Sequence, residues 1–214
     1  MKNLLLSPLF LVLLFSCSEA DSYFSRVLNA DSEDDSWLLH GRTYDESRFS
    51  PLKDINDSNV QDLGLAWSFE TGTNRGHETT PIVVDGIMFI TAPWSVVFAL
   101  DPVTGKEIWS FDPQADKAWA RNACCDVVNR GVAVWEDQVI VATIDGRLIS
   151  LDKKSGEVNW DVLTIDKSKP YTITGAPRII NGKIIIGNGG AEYGVRGYIS
   201  AYDVKDGSML WRFF

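Results

Sequence analysis

The sequence holds two histidines and three cysteines among its 214 residues, carries no run of basic side chains, and past its first twenty residues shows no sustained helical periodicity. Each shortage excludes something. His40 and His77 are isolated and read as ordinary polar residues, not as a transition-metal centre. A formal net charge of -9 without a basic patch argues against nucleic acid and acidic membrane surfaces as partners. The missing 3.6-residue pattern leaves short apolar runs between turn residues, which points to an all-β chain. Tryptophan, in contrast, is abundant, with eight in the chain.

The first residues, MKNLLLSPLFLVLLFSCSEADS, combine one lysine, a short apolar run and then small side chains, the pattern of a secretory signal over residues 1–20. Cys17 follows a Leu-Phe-Ser run that looks like a lipoprotein box with a bulky Phe15, whereas Ser18-Glu19-Ala20 offers ordinary cleavage, and both readings stand. Either predicts a periplasmic location, where disulfides persist, with membrane association only through a lipid on Cys17. Residues 21–36 are expected to be a flexible lead. Cys124 and Cys125 are then left with only each other.

Three segments share one pattern: Ala99 to Trp109, Ser150 to Trp160 and Ala201 to Trp211. In each, Asp is followed four residues later by Gly and eight later by Trp, and the three copies are 51 residues apart. A fixed period of this size marks an array of supersecondary units. Each unit holds four short apolar runs separated by turn signals such as Asp85-Gly86, Glu136-Asp137, Asp145-Gly146 and Asn181-Gly182, which is the make-up of a β-propeller blade. The Asp and Gly are assigned to the turn between third and fourth strands, and the Trp to packing against the neighbouring blade. Trp67 is expected on the outermost strand of one further blade. Residues 37–214 thus read as about three and a half four-stranded blades of an incomplete propeller, a fragment of a larger ring.

Strand order then predicts a site. If the first strand of a blade starts at the top of the ring, the segment before it and the loop between second and third strands share that end. Glu78 and Thr174 lie two residues before the innermost strands of the first and third units, Arg130 lies directly before that of the second, and Glu192 lies in the long Gly-rich loop of the third unit, with Gly187, Gly189 and Gly190. The cysteine pair lies in the connection before Arg130. An acid, a guanidinium, a hydroxyl, glycine backbone and a second acid at one channel mouth suit a flat polyanionic ligand with a metal. A bridge between neighbouring cysteines would shorten almost no unfolded loop and would contribute little stability. It would instead supply a rigid sulfur platform for a planar ligand, or a strained redox couple; two free thiols without a role are the third reading.

The segments WLLHGRTYDESRFSPL, GHETTPIVVDG, CCDVVNRGVAVW, DGRLISLD, YTITGAPR and GNGGAEYGVRGYISAYD resemble the N-terminal part of the quinoprotein alcohol dehydrogenases, eight-bladed propellers that carry pyrroloquinoline quinone (PQQ) and calcium. The resemblance implies a vicinal disulfide of Cys124 and Cys125 against one face of the quinone. It implies quinone contacts from Glu78, Arg130, Thr174, Gly189, Gly190 and Ala191, and a metal ligand in Glu192, for calcium or a lanthanide. No catalytic residue is expected in this chain, because the family's base would lie beyond Phe214; by itself the fragment is expected to be inactive. The resemblance further implies alcohol as substrate, cytochrome c as electron acceptor and, in some members, a C-terminal haem c domain. The competing readings are a non-catalytic propeller scaffold lipoprotein of the outer membrane and a sugar or aldehyde dehydrogenase of the same superfamily; the paired cysteines argue against both.

Overall fold

The computed structural model describes residues 19–214; the signal segment up to residue 18, Cys17 included, lies outside the described residues. Twelve strands form three antiparallel four-stranded sheets, each in simple sequential order. The first blade is β1 (Ile82–Val84), β2 (Ile87–Thr91), β3 (Val97–Leu100) and β4 (Glu107–Phe111). The second is β5 (Ala133–Trp135), β6 (Gln138–Ala142), β7 (Arg147–Asp152) and β8 (Val158–Leu163), and the third is β9 (Arg178–Ile180), β10 (Lys183–Gly187), β11 (Ile199–Asp203) and β12 (Met209–Phe213). Asp85-Gly86 and Asn181-Gly182 close their hairpins with positive φ at both positions, the geometry that matches strand twist. One core runs through all three sheets and includes Val84, Phe89, Ile140, Ile149, Ile179 and Ile184.

The repeated Asp, Gly and Trp have the structural roles their spacing suggests. Asp101 and Asp152 each accept two backbone N–H groups within their own turn, from Val103 and Thr104 and from Lys154 and Ser155, at 2.8 to 2.9 Å. The indole of one blade then docks on the turn of the next: Trp109 Nε1 donates to Lys153 O at 3.0 Å and Trp160 Nε1 to Val204 O at 3.1 Å. The glycine makes room. Gly156 has φ +74, and a Cβ there would lie 2.7 Å from Trp109 Cε3. Trp67 docks the same way, its Nε1 donating to Pro102 O at 3.1 Å above Gly105. Its segment, expected as a strand, pairs with no strand among the described residues, so only the dock of that further blade is present. Trp211, last of the series, is 45% exposed against 8% for Trp109, since among the described residues no blade turn covers it.

The lead at residues 21–36 is not the flexible segment expected. It contains α1 (Glu19–Leu28), and Tyr23, Val27 and Ala30 join the main core, with the Tyr23 ring 5.1 Å from that of Trp135. Tyr23 and Val27, at i and i+4, share one face of the helix, Ala30 continues it in the 3-10 turn that follows, and fewer than three turns suffice because the sheets supply the burial. Arg26 fastens the far side, pairing with Glu33 at 2.6 Å and with Asp85 at 2.9 Å. The chain then crosses the blades: Trp37 bridges Val83 beside β1, and Tyr44 Oη donates to Ile179 O on β9 at 2.9 Å.

Candidate functional site

The segments that lead into β1, β5 and β9 are laced together by their backbones. Thr80 N–H donates to Arg130 O at 3.2 Å, and Arg130 N–H donates to Thr174 O at 3.0 Å. Three blades therefore present their entry residues at one end, as strand order requires. The side chains follow: Arg130 Nη2 pairs with Glu78 Oε2 at 2.7 Å, and Nη1 donates to Thr174 Oγ1 at 2.7 Å. Arg130 and Glu78 are each about two-fifths exposed, so the pair contributes ~0–1 kcal/mol to stability. Its consequence is orientation: the guanidinium is held at a fixed place while still open to a ligand.

The cysteines reach this rim through the long connection from β4 to β5. A 3-10 segment, Lys117–Asn122, is capped by Asp116, whose carboxylate accepts the Ala118 N–H, and is anchored by Trp119 Nε1 donating to Tyr171 O at 2.7 Å. Beyond the pair, Asp126 is ion-paired with Arg75, and Val127 O accepts the Trp94 N–H at 2.9 Å. Cys124 and Cys125 are both exposed free thiols, so the bridge that the resemblance implies is not formed in the structure. Neighbouring Cα atoms across a trans peptide lie about 3.8 Å apart, short of the span of an ordinary disulfide. Closing the bridge would require the intervening peptide to twist. The Cys124 thiol is instead hydrogen-bonded to Cys125 and to Glu192, and these bonds push its pKa up to about 11.

The third blade contributes through the loop from β10 to β11. Gly189 exchanges two backbone hydrogen bonds with Thr172, and Asn188 Oδ1 accepts the Tyr198 N–H at 2.8 Å to close the loop. Gly190, at φ +107, passes so near Pro170 that a Cβ would lie 2.4 Å from its carbonyl oxygen, so no other residue fits. A 3-10 turn, Ala191–Tyr193, then presents Glu192, whose carboxyl is held below its ordinary pKa by its own backbone N–H and by the Cys124 thiol.

Cys124, Cys125, Arg130, Thr174, Gly189 and Glu192 line one small cavity of about 70 Å³. Glu78 pairs with Arg130 without lining the cavity, and Gly190 and Ala191 shape the loop without lining it either. A larger cavity of about 510 Å³ shares Arg130, Thr174 and Gly189 and adds His40 and Arg178. Three participants escaped the sequence reading. Thr172 pins Gly189; His40 Nε2 lies 3.1 Å from Thr80 Oγ1; and Asn129, next to Arg130, is almost fully buried. The NRG run contained the last signal, but a buried amide inside a loop has no periodicity to announce it. Among the described residues no three His, Cys, Asp or Glu side chains cluster as a metal centre, so Glu192 can offer a metal one carboxylate here.

Residues 37–214 match the family model for the PQQ-carrying glucose/ethanol/alcohol dehydrogenase β-propeller domain. The chain is 56% identical over 191 residues to the quinohemoprotein alcohol dehydrogenase ADH-IIG of Pseudomonas putida, covering 89% of this chain and 27% of that protein. The solved structure of that enzyme superposes with a TM-score of 0.87 over 88% of this chain and 28% of its own. The 1-butanol dehydrogenase (cytochrome c) of Thauera butanivorans is 56% identical over 168 residues, 78% of this chain and 24% of that protein. A europium-containing methanol dehydrogenase is 37% identical, with a TM-score of 0.84 over 88% of this chain and 33% of its own. The chain thus spans about a quarter of the length of the curated relatives it matches. With the three-bladed sheet array, the Trp docks and this match over the whole propeller region, the chain belongs to the PQQ-dependent alcohol dehydrogenase family.

Proposed function

We propose that this chain is the N-terminal part of a periplasmic dehydrogenase that oxidises alcohols to aldehydes with PQQ and a calcium ion, and that it forms the quinone-facing rim of that site. The observation that carries the reading is Arg130, held between Glu78 and Thr174 from the two flanking blades at a cavity shared by Cys124, Cys125, Gly189 and Glu192. This donor set fits a planar polyanion beside a hard cation: a guanidinium, a hydroxyl and backbone amides for its acidic edge, sulfur for its face, one carboxylate for the metal.

The quinone, when bound, supplies the two-electron acceptor for alcohol oxidation. This chain's residues bind and orient. Arg130 sets a fixed positive charge where the reduced quinone gains negative charge, and Glu78 and Thr174 keep it there. Glu192 is kept ionised and so ready for a cation. A periplasmic thiol oxidant that took two electrons and two protons from Cys124 and Cys125 would close them to a bridge, an apolar platform that leaves Glu192 free of the Cys124 thiol. The names of the relatives support alcohol as the substrate class, a cytochrome c as electron acceptor and a haem domain in the whole protein; that of the europium enzyme keeps a lanthanide as the alternative metal.

The test uses the intact gene product, stripped and then reconstituted with PQQ and calcium. Reconstitution is expected to restore alcohol-dependent dye reduction, and Arg130→Ala is expected to lower kcat/KM by about 10²- to 10³-fold, the scale of removing one fixed donor from a charge-developing site. A protein that takes up no PQQ, or an Arg130→Ala variant as active as the parent, overturns the reading.

A further inference from the structure

We infer that Asn129 is a positioning residue for Arg130: a buried amide that fixes the backbone from which the guanidinium reaches the cavity. The inference rests on the quinone reading of the rim. Asn129 is 1% exposed, and its side chain is fully engaged. Oδ1 accepts the Gly131 N–H at 3.0 Å, while Nδ2 donates to Ala142 O at 2.8 Å and to Ser95 Oγ at 3.1 Å. Its own carbonyl accepts the Thr91 hydroxyl at 3.2 Å. The side-chain amide thus ties the backbone on either side of Arg130 to β6 of its own blade and to the turn after β2 of the first blade, while the tie to β2 itself is made by the main-chain carbonyl.

Two backbone features show what the tie holds. Gly131 has φ +123, and a Cβ there would lie 3.0 Å from Thr80 O, so the chain just after Arg130 is pressed against the first blade. On that blade, Trp94 and Ser95 are consecutive non-glycine residues with φ +68 and +63, a left-handed pair that persists only where surroundings impose it. The surroundings are the 127–129 run: Val127 O accepts the Trp94 N–H and Asn129 Nδ2 donates to the Ser95 hydroxyl oxygen. Glu78 and Thr174 hold the tip of the Arg130 side chain but leave its backbone to be fixed from elsewhere. The rigid reference for its position is therefore Asn129.

The experiment is a double-mutant cycle on PQQ affinity, measured with calcium present on the intact, stripped protein for the parent, Asn129→Ala, Arg130→Ala and the double variant. Asn129→Ala is expected to weaken binding at least tenfold and to have no further effect once Arg130 is gone, because it acts through that side chain. A loss below twofold, or full additivity with Arg130→Ala, overturns the inference, since a merely structural residue would add its cost. Ser95→Ala, which removes one anchor of the amide and spares the residue, is expected to show a smaller loss with the same dependence on Arg130, and it decides the matter if Asn129→Ala does not fold. Amide exchange at Gly131 in the quinone-free protein is expected to quicken at least a hundredfold in Asn129→Ala while β6 stays protected; unchanged Gly131 exchange also overturns the inference. A parent protein that takes no PQQ refutes the proposed function alone, because the exchange result still decides the hold of Asn129 on the Arg130 backbone.

Discussion

Replacing Gly156 by alanine tests whether the blades are held together by indole docking. The residue is left-handed, at φ +74, and its missing Cβ position lies 2.7 Å from Trp109 Cε3. A left-handed non-glycine residue costs about 1–2 kcal/mol, and forcing an atom into a packed contact adds about 1–3 kcal/mol. Gly86 is the control, because it has φ +73 but nothing within 4 Å of its Cβ position, so Gly86→Ala carries only the backbone cost. In urea unfolding with linear extrapolation, Gly156→Ala is therefore expected to be less stable than Gly86→Ala by about 1–3 kcal/mol. Trp109→Ala alone is expected to cost about 3–5 kcal/mol. In that background, Gly156→Ala should fall to the cost of the control, since the clash has gone. Equal costs for the two glycine variants, or an undiminished Gly156→Ala cost without the indole, would refute the docking account.

Two further outcomes bear on the rim. His40 has its pKa lowered, first by burial and then by the Arg178 charge, so the unfolded chain takes up a proton before the native one does. Its contribution to stability is present above the unfolded value near 6.5 and is lost as pH falls through the depressed native value; His40→Asn should flatten the unfolding profile across that window, and an unchanged profile would remove His40 from the account. The Cys124 thiol, pushed up to about 11 by its bonds to Cys125 and Glu192, should in reduced protein react with iodoacetamide at pH 8 on the order of a hundredfold more slowly than an unperturbed thiol. Glu192→Gln should speed that reaction in peptide mapping, and a Cys124 that alkylates at the ordinary rate in the parent would show that the thiol–carboxylate contact does not exist in solution.

What could be read from the sequence was whatever repeats or alternates. The Asp, Gly and Trp of each unit recur every 51 residues because every dock solves one steric problem, an indole lying over a turn that has no Cβ. The placement of Glu78, Arg130 and Thr174 at one end followed from chain direction alone, since each lies in the short segment that leads into an innermost strand. What escaped the reading is not periodic. Helix α1 has fewer than three turns and places only Tyr23 and Val27 in the main core, too few to register as a pattern beside its Ser and Asp residues, and it forms because Trp135 and its neighbours offer a surface to bury against. Asn129 and Thr172 occupy loop positions and make their bonds to residues 13 to 34 places away. The oxidation state of Cys124 and Cys125 is set by the surrounding redox poise, not by local propensity.

The two kinds of residue divide the work of the rim. The repeated framework settles at which end of the ring a blade delivers its entry residue, but it leaves a long side chain such as Arg130 free to sweep through its rotamers at that place. The aperiodic residues remove this freedom: Asn129 holds the backbone beneath the guanidinium, Glu78 and Thr174 hold its tip, and Gly190 lets the Glu192 loop close against Pro170. A binding site held to within a fraction of an ångström needs both, because a framework alone supplies direction and only unshared contacts supply position. Substitutions in the Trp docks should therefore lower stability before they alter quinone affinity, whereas Asn129→Ala should reverse that order.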